Sequence, residues 1–137
     1  MPERFTGYHT GLDFETTAAE KTTDVQINVI CSGKLLQKGY ASGYGGYAVQ
    51  SCTINKQAVT VVYGHLRQSN ITPTINQQLT AGDHLALLGT GYSMETDGER
   101  KHLHLGIHIG TTINITGYVP SKAQLSGWLD PKVVLGL

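Results

Sequence analysis

Alternation of apolar and polar positions dominates the chain and is clearest from Lys101 to Gly110, which reads KHLHLGIHIG. A strand with that pattern places His102, His104, Gly106, His108 and Gly110 on one face and Leu103, Leu105, Ile107 and Ile109 on the other. AVTVVYGHL, ending at Leu66, is strongly β-forming, and VQINVIC, from Val25 to Cys31, also reads as a strand. Ser32-Gly33 reads as a turn after the latter, with KLLQKGY as its returning hairpin partner. SGYGGYAVQSC places a glycine-rich hairpin tip before another strand, and Asn55-Lys56-Gln57 is the polar turn that follows it. Ala81-Gly82-Asp83 makes a tight reversal before a strand from His84 to Leu88, whose first residue is expected to be exposed. Near the end Asp130 can cap, and Pro131 can open, a short helix. Helix is otherwise expected to be minor, and the pattern predicts an all-β protein.

Composition agrees with that pattern. Gly, Thr and β-branched residues are plentiful, whereas charged residues make up only 15% of the 137 positions. The length suits one domain, residues 1–137, large enough to bury an ordinary core. Ten basic and ten acidic side chains cancel, which leaves no electrostatic footprint for nucleic acid or an anionic membrane. There is no apolar run of membrane-spanning length, and the opening MPERFTGYH lacks the pattern of a secretion signal. The chain is therefore expected to be a domain of a longer exported protein, or to reach its site of action through lysis or a partner. Cys31 and Cys52 lie in strands that could pair, and either a disulfide or two buried thiols is compatible with that placement.

Candidate chemistry sits in three segments. In a strand rising about 3.3 Å per residue, His102 and His104 point the same way roughly 6.6 Å apart, whereas His108 lies about 13 Å beyond His104. The first two can converge on one site, and the third is expected to stay outside it. HTGLDFET offers His9 and Asp13, which can meet only if the segment bends, and Gly11 between them permits the bend. VVYGHL delivers His65. A catalytic zinc centre takes three histidine or carboxylate ligands and leaves a position open, a need this inventory meets. The polar loop TGYSMETDGER, which leads into the histidine strand, is expected to line the cleft.

In order and wording these motifs resemble the lysostaphin-type, or LytM-like, zinc endopeptidases, which cut peptides in bacterial cell walls. HTGLDF resembles the family's H-x-G-x-D-F, SGYGGYAVQ its G-Y-G-N-Y hairpin, and VVYGHL its Y-x-H-L strand. AGDHLALLGTG resembles its G-x-x-I-G-x-x-G segment, KHLHLGI its H-L-H-F-E strand, and WLDP its closing D-P turn. The resemblance implies an antiparallel β-sheet domain of the duplicated hybrid motif kind, with a groove over one zinc ion held by His9, Asp13 and His104. It implies His102 as general base, with His65 orienting water or stabilising the oxyanion. It further implies a peptidoglycan stem or cross-bridge peptide as substrate, extracytoplasmic action, and a monomer. Two departures stand out: Gly98-Glu99-Arg100-Lys101 replaces the Ser/Thr-Gly-Pro before H-L-H, and Gly106 replaces the glutamate.

Two other classes compete. A cupin-type metal barrel also uses H-x-H but expects a later glutamate, and none follows Glu99. A non-catalytic wall-binding or regulatory module on the same fold is usually reached by losing a ligand, and none is missing here.

Overall fold

The computed structural model describes residues 7–137. Met1–Thr6, which open the segment inspected for a secretion signal, lie outside the described residues. The strands are β1 (Tyr8–His9), β2 (Leu12–Glu15), β3 (Gln26–Asn28), β4 (Gly33–Ala41), β5 (Gly45–Ile54), β6 (Gln57–Leu66), β7 (Gln78–Leu79), β8 (His84–Leu87), β9 (His102–Ile109), β10 (Tyr118–Val119) and β11 (Trp128–Leu129). A five-residue helix, α1 (Pro131–Leu135), closes the chain, and Asp130 caps it by accepting from the Lys132 amide.

The main sheet has seven strands in the order β11-β9-β6-β5-β4-β7, with β2 paired to β9 on the edge that β11 also uses. All pairings in it are antiparallel. Two tight connections set its register. Asn55 and Lys56, both with positive φ, form the two-residue loop between β5 and β6. The glycine-rich tip Ser42–Tyr44 joins β4 to β5, as its sequence leads one to expect.

Alternation gives the sheet two unlike faces. Leu35, Ala48, Cys52, Val59, Val61, Tyr63, Leu105 and Ile107 point into the main core, which Ile27, Val29, Leu85, Ala86 and Leu88 cover from the other side. Burying such side chains stabilises by about 1.5–3 kcal/mol each. The opposite face carries a smaller cluster of Tyr44, Tyr47, Val49 and Val62, and then gives way to histidine. Gln50 is fully buried on the core side, where its amide donates to the carbonyls of Cys31 and Gly33 and its oxygen accepts from the Tyr63 hydroxyl. Beside it Cys31 and Cys52 form a disulfide, which resolves the alternative left open by their spacing.

One expected hairpin does not form. VQINVIC does not pair with KLLQKGY; β3 pairs with β8, and β4 pairs with β5 and β7. The Ser32-Gly33 signal marks a crossing between layers rather than a reversal in one sheet. Gly33 passes so close to β5 that a Cβ there would lie 1.5 Å from the Ser51 carbonyl oxygen, while the Val29 amide and carbonyl are claimed by Asp83 and Gly82. Among the described residues no helix is long and apolar enough to cross a membrane.

Candidate metal centre

Strand register assembles the first part of the site. In the β2–β9 ladder Asp13 stands opposite His104, and Glu15 opposite His102, so their side chains emerge on the same face. His9 reaches that face because the chain bends sharply at Gly11, where a Cβ would fall 2.2 Å from the Leu105 carbonyl oxygen. Only glycine fits so close to β9. The bend is anchored from the other side: His9 pairs with Tyr118 in the β1–β10 ladder, and the Thr10 hydroxyl bonds the carbonyls of Thr116 and Gly117.

Three donor atoms meet here. His9 Nε2 lies 3.1 Å from His104 Nδ1 and 3.3 Å from Asp13 Oδ1, and His104 Nδ1 lies 3.5 Å from Asp13 Oδ1. A tetrahedral zinc ion with bonds of about 2.0–2.1 Å requires ligand atoms about 3.3 Å apart, so the triangle has the right size. A second observation concerns Asp13 Oδ1, which is buried without a hydrogen-bonding partner although imidazole nitrogens of His9, His104 and His102 stand 3.3, 3.5 and 3.6 Å away. An acceptor oxygen ringed by nitrogens and bonded to none suits a shared cation. Burial raises the Asp13 pKa, but the imidazoles of His104 and His9 outweigh it and hold the carboxyl well below the usual range, in the ionised form a metal needs.

His102 and His65 flank this triangle, with ring centroids 4.2 Å apart. His102 Nδ1 lies 2.8 Å from the Arg100 carbonyl, to which it donates, leaving Nε2 with its lone pair turned toward Asp13. His65 arrives by a route that alternation alone would forbid. Tyr63 and Leu66 both belong to the core, and Gly64 stands opposite His104 on the site face. In a regular strand His65 would follow Tyr63 into the core. Instead β5 pairs Tyr47 with Gly64 and Gly46 with Leu66, so His65 is an extra, bulged residue at φ 66° whose ring joins the site. Its burial, with His102 and His104 beside it, pushes the imidazole down to about 3. Burial likewise lowers His104.

These five side chains line a groove of about 260 Å³. Its walls include Ser42, Gly43 and Tyr44 from the β4–β5 tip, Ile115–Tyr118, and Glu99 and Arg100 from the polar loop expected to line the cleft. Arg100 pairs with Glu15 at 2.6 Å and touches Asp13 Oδ2 at 3.3 Å. His84 is exposed at its strand start, and His108 stacks edge-on against Trp128 away from the groove, both as expected. The sequence reading missed Tyr44, whose hydroxyl lies 3.2 Å from His104 Nε2. Its signal was a tyrosine in a tip of glycines, within the stretch that resembles G-Y-G-N-Y.

The family described as Peptidase family M23 matches residues 7–115. Among solved structures, CbpA from L. salivarius REN is similar at 25% identity and a TM-score of 0.59, over 93% of this chain and 74% of that one. LytU is similar at 19% identity and a TM-score of 0.68, over 98% of this chain and 77% of its own. Lysostaphin, solved by NMR, is similar at 23% identity and a TM-score of 0.58, over 86% of this chain and 43% of its own. No curated protein sequence matches the chain. The family match spans most of the chain, including the segments that bring His9, Asp13, His65, His102 and His104 together, and the chain belongs to peptidase family M23.

Proposed function

We propose that this chain is a zinc endopeptidase that hydrolyses peptide bonds in the stem or cross-bridge of bacterial peptidoglycan. The carrying observation is the triangle of His9 Nε2, Asp13 Oδ1 and His104 Nδ1, with two further imidazoles facing it. In this reading His9, Asp13 and His104 hold one zinc ion. When bound, the ion acts as a Lewis acid toward the scissile carbonyl and brings the pKa of water toward neutrality.

The remaining work belongs to protein side chains. His102 Nε2, freed as a base by the bond from Nδ1 to the Arg100 carbonyl, takes the proton of the attacking water and returns it to the leaving amine. His65 is kept neutral by burial and so can donate a hydrogen bond to the developing oxyanion without taking the proton itself. The groove between the β4–β5 tip, the 99–100 loop and Ile115–Tyr118 holds the peptide in extended form. Residues 1–137 act as one catalytic domain and as a monomer, outside the cytoplasmic membrane. The Cys31–Cys52 disulfide suits that compartment.

The test is digestion of several bacterial wall chemotypes and glycine-rich peptides with zinc-loaded protein, followed by mass spectrometry. New amino termini at one peptide linkage are expected. Binding to the wall without any cleavage would instead identify a non-catalytic module.

A further inference from the structure

The Tyr44 side chain is built into the site with more care than a groove wall needs. Two glycines carve the slot for its ring: a Cβ at Gly64 would lie 2.6 Å from Tyr44 Cδ1, and one at Gly117 would lie 3.0 Å from the hydroxyl. The tip that carries Tyr44 is itself pressed against the 93–97 turn, where a Cβ at Gly45 would fall 2.0 Å from the Glu95 carbonyl oxygen. The ring is buried, and its hydroxyl ends 3.2 Å from His104 Nε2, the nitrogen facing away from His9 and Asp13.

An imidazole that lends Nδ1 to a cation must carry its proton on Nε2. Tyr44 is the acceptor placed for that proton. Position 106 addresses the same nitrogen, because a Cβ on Gly106 would lie 3.4 Å from His104 Nε2. Gly106 brings no polar atom to it, and the phenol approaches from the β4–β5 tip.

We propose that Tyr44 is a positioning residue for His104: its hydroxyl accepts the Nε2 proton and fixes the tautomer that presents Nδ1 to the metal. The proposal rests on the zinc reading of the site.

Tyr44→Phe keeps the ring in its slot and removes only the hydroxyl. Competition with a chromophoric chelator is expected to show zinc bound about 10- to 100-fold more weakly than by the unmutated protein. Imidazole ¹⁵N spectra of the zinc-loaded unmutated protein are expected to show the His104 proton on Nε2, in slow exchange with water, and exchange should quicken in Tyr44→Phe. Equal zinc affinity in the two proteins, or an Nδ1-protonated His104 in the unmutated one, would overturn the assignment. If Tyr44→Phe does not fold, the spectrum of the unmutated protein decides alone. Failure of the unmutated protein to bind zinc would instead bring down the metal reading itself.

Discussion

Asp13 and His104 stand directly opposite one another in the β2–β9 ladder, with carboxylate oxygen and ring nitrogen 3.5 Å apart. The pair joins the two ends of the chain, so the donor triangle exists only once the sheet has closed. On the zinc reading, metal binding and folding are linked, and added zinc should raise the unfolding midpoint by mass action.

The same face of β9 carries two histidines with different expected roles. His104→Ala removes one of three metal donors, and zinc content should fall with activity. His102→Ala should keep near-stoichiometric zinc and a folded domain while turnover falls by about 10²- to 10⁴-fold. Metal analysis beside kinetics distinguishes them. Retention of zinc by His104→Ala, or its loss from His102→Ala, would reverse the assignment.

His108→Ala should leave zinc content and turnover within about twofold of the unmutated protein, because that ring packs on Trp128 outside the groove. A small loss of thermal stability is the expected cost. Loss of zinc would mean that the Trp128 end of this strand face is coupled to the site more tightly than the geometry indicates.

Stability of the metal-free protein should fall in mild acid. His65 is neutral when folded, with its pKa pushed down to about 3, and takes up a proton near pH 6.5 when unfolded. The unfolded state thus binds more protons between those values. The contribution is complete above about pH 6.5 and is lost as pH falls toward 3, by at most about 1.4 kcal/mol per pH unit for this group. Buried His104 acts in the same direction. Urea unfolding from pH 7 to pH 4 should show a shallower dependence in His65→Asn, and identical slopes would contradict the account.

Replacing both cysteines with serine opens a loop of sequence separation 21 and should cost about 3 kcal/mol. The loss should show as a lower denaturation midpoint, with zinc affinity preserved because neither cysteine lines the groove. A collapse of zinc binding at temperatures where the protein remains folded would show that the bridge also shapes the site.

Legibility in the sequence followed the range of the interactions. Period-two alternation announced β9, β-branched composition announced β6, and the glycine-rich tip and the Asn55-Lys56-Gln57 turn announced two hairpins, since each is a local property of the chain. The bend at Gly11 was also legible, because His9 and Asp13 could not meet without it. Which strand β3 would choose was not, because pairing with β8 depends on partners more than fifty residues away. Tyr44 was hidden for a similar reason: its slot is made by glycines from two other segments, and neither glycine looks unusual in its own stretch.

The bulge at His65 has a bearing on how such a strand could arise. Along β6 every residue from Val59 to Gly64 obeys one parity, and Leu66 must rejoin the core. Exchanging side chains in a strand of fixed length cannot place one more residue over the site while keeping Leu66 inside, since parity assigns each position its side in advance. Adding a residue does so in one step. Deleting His65 should restore an unbroken β5–β6 ladder, remove the fifth side chain of the site, and leave the Gly89 amide without the His65 carbonyl it donates to.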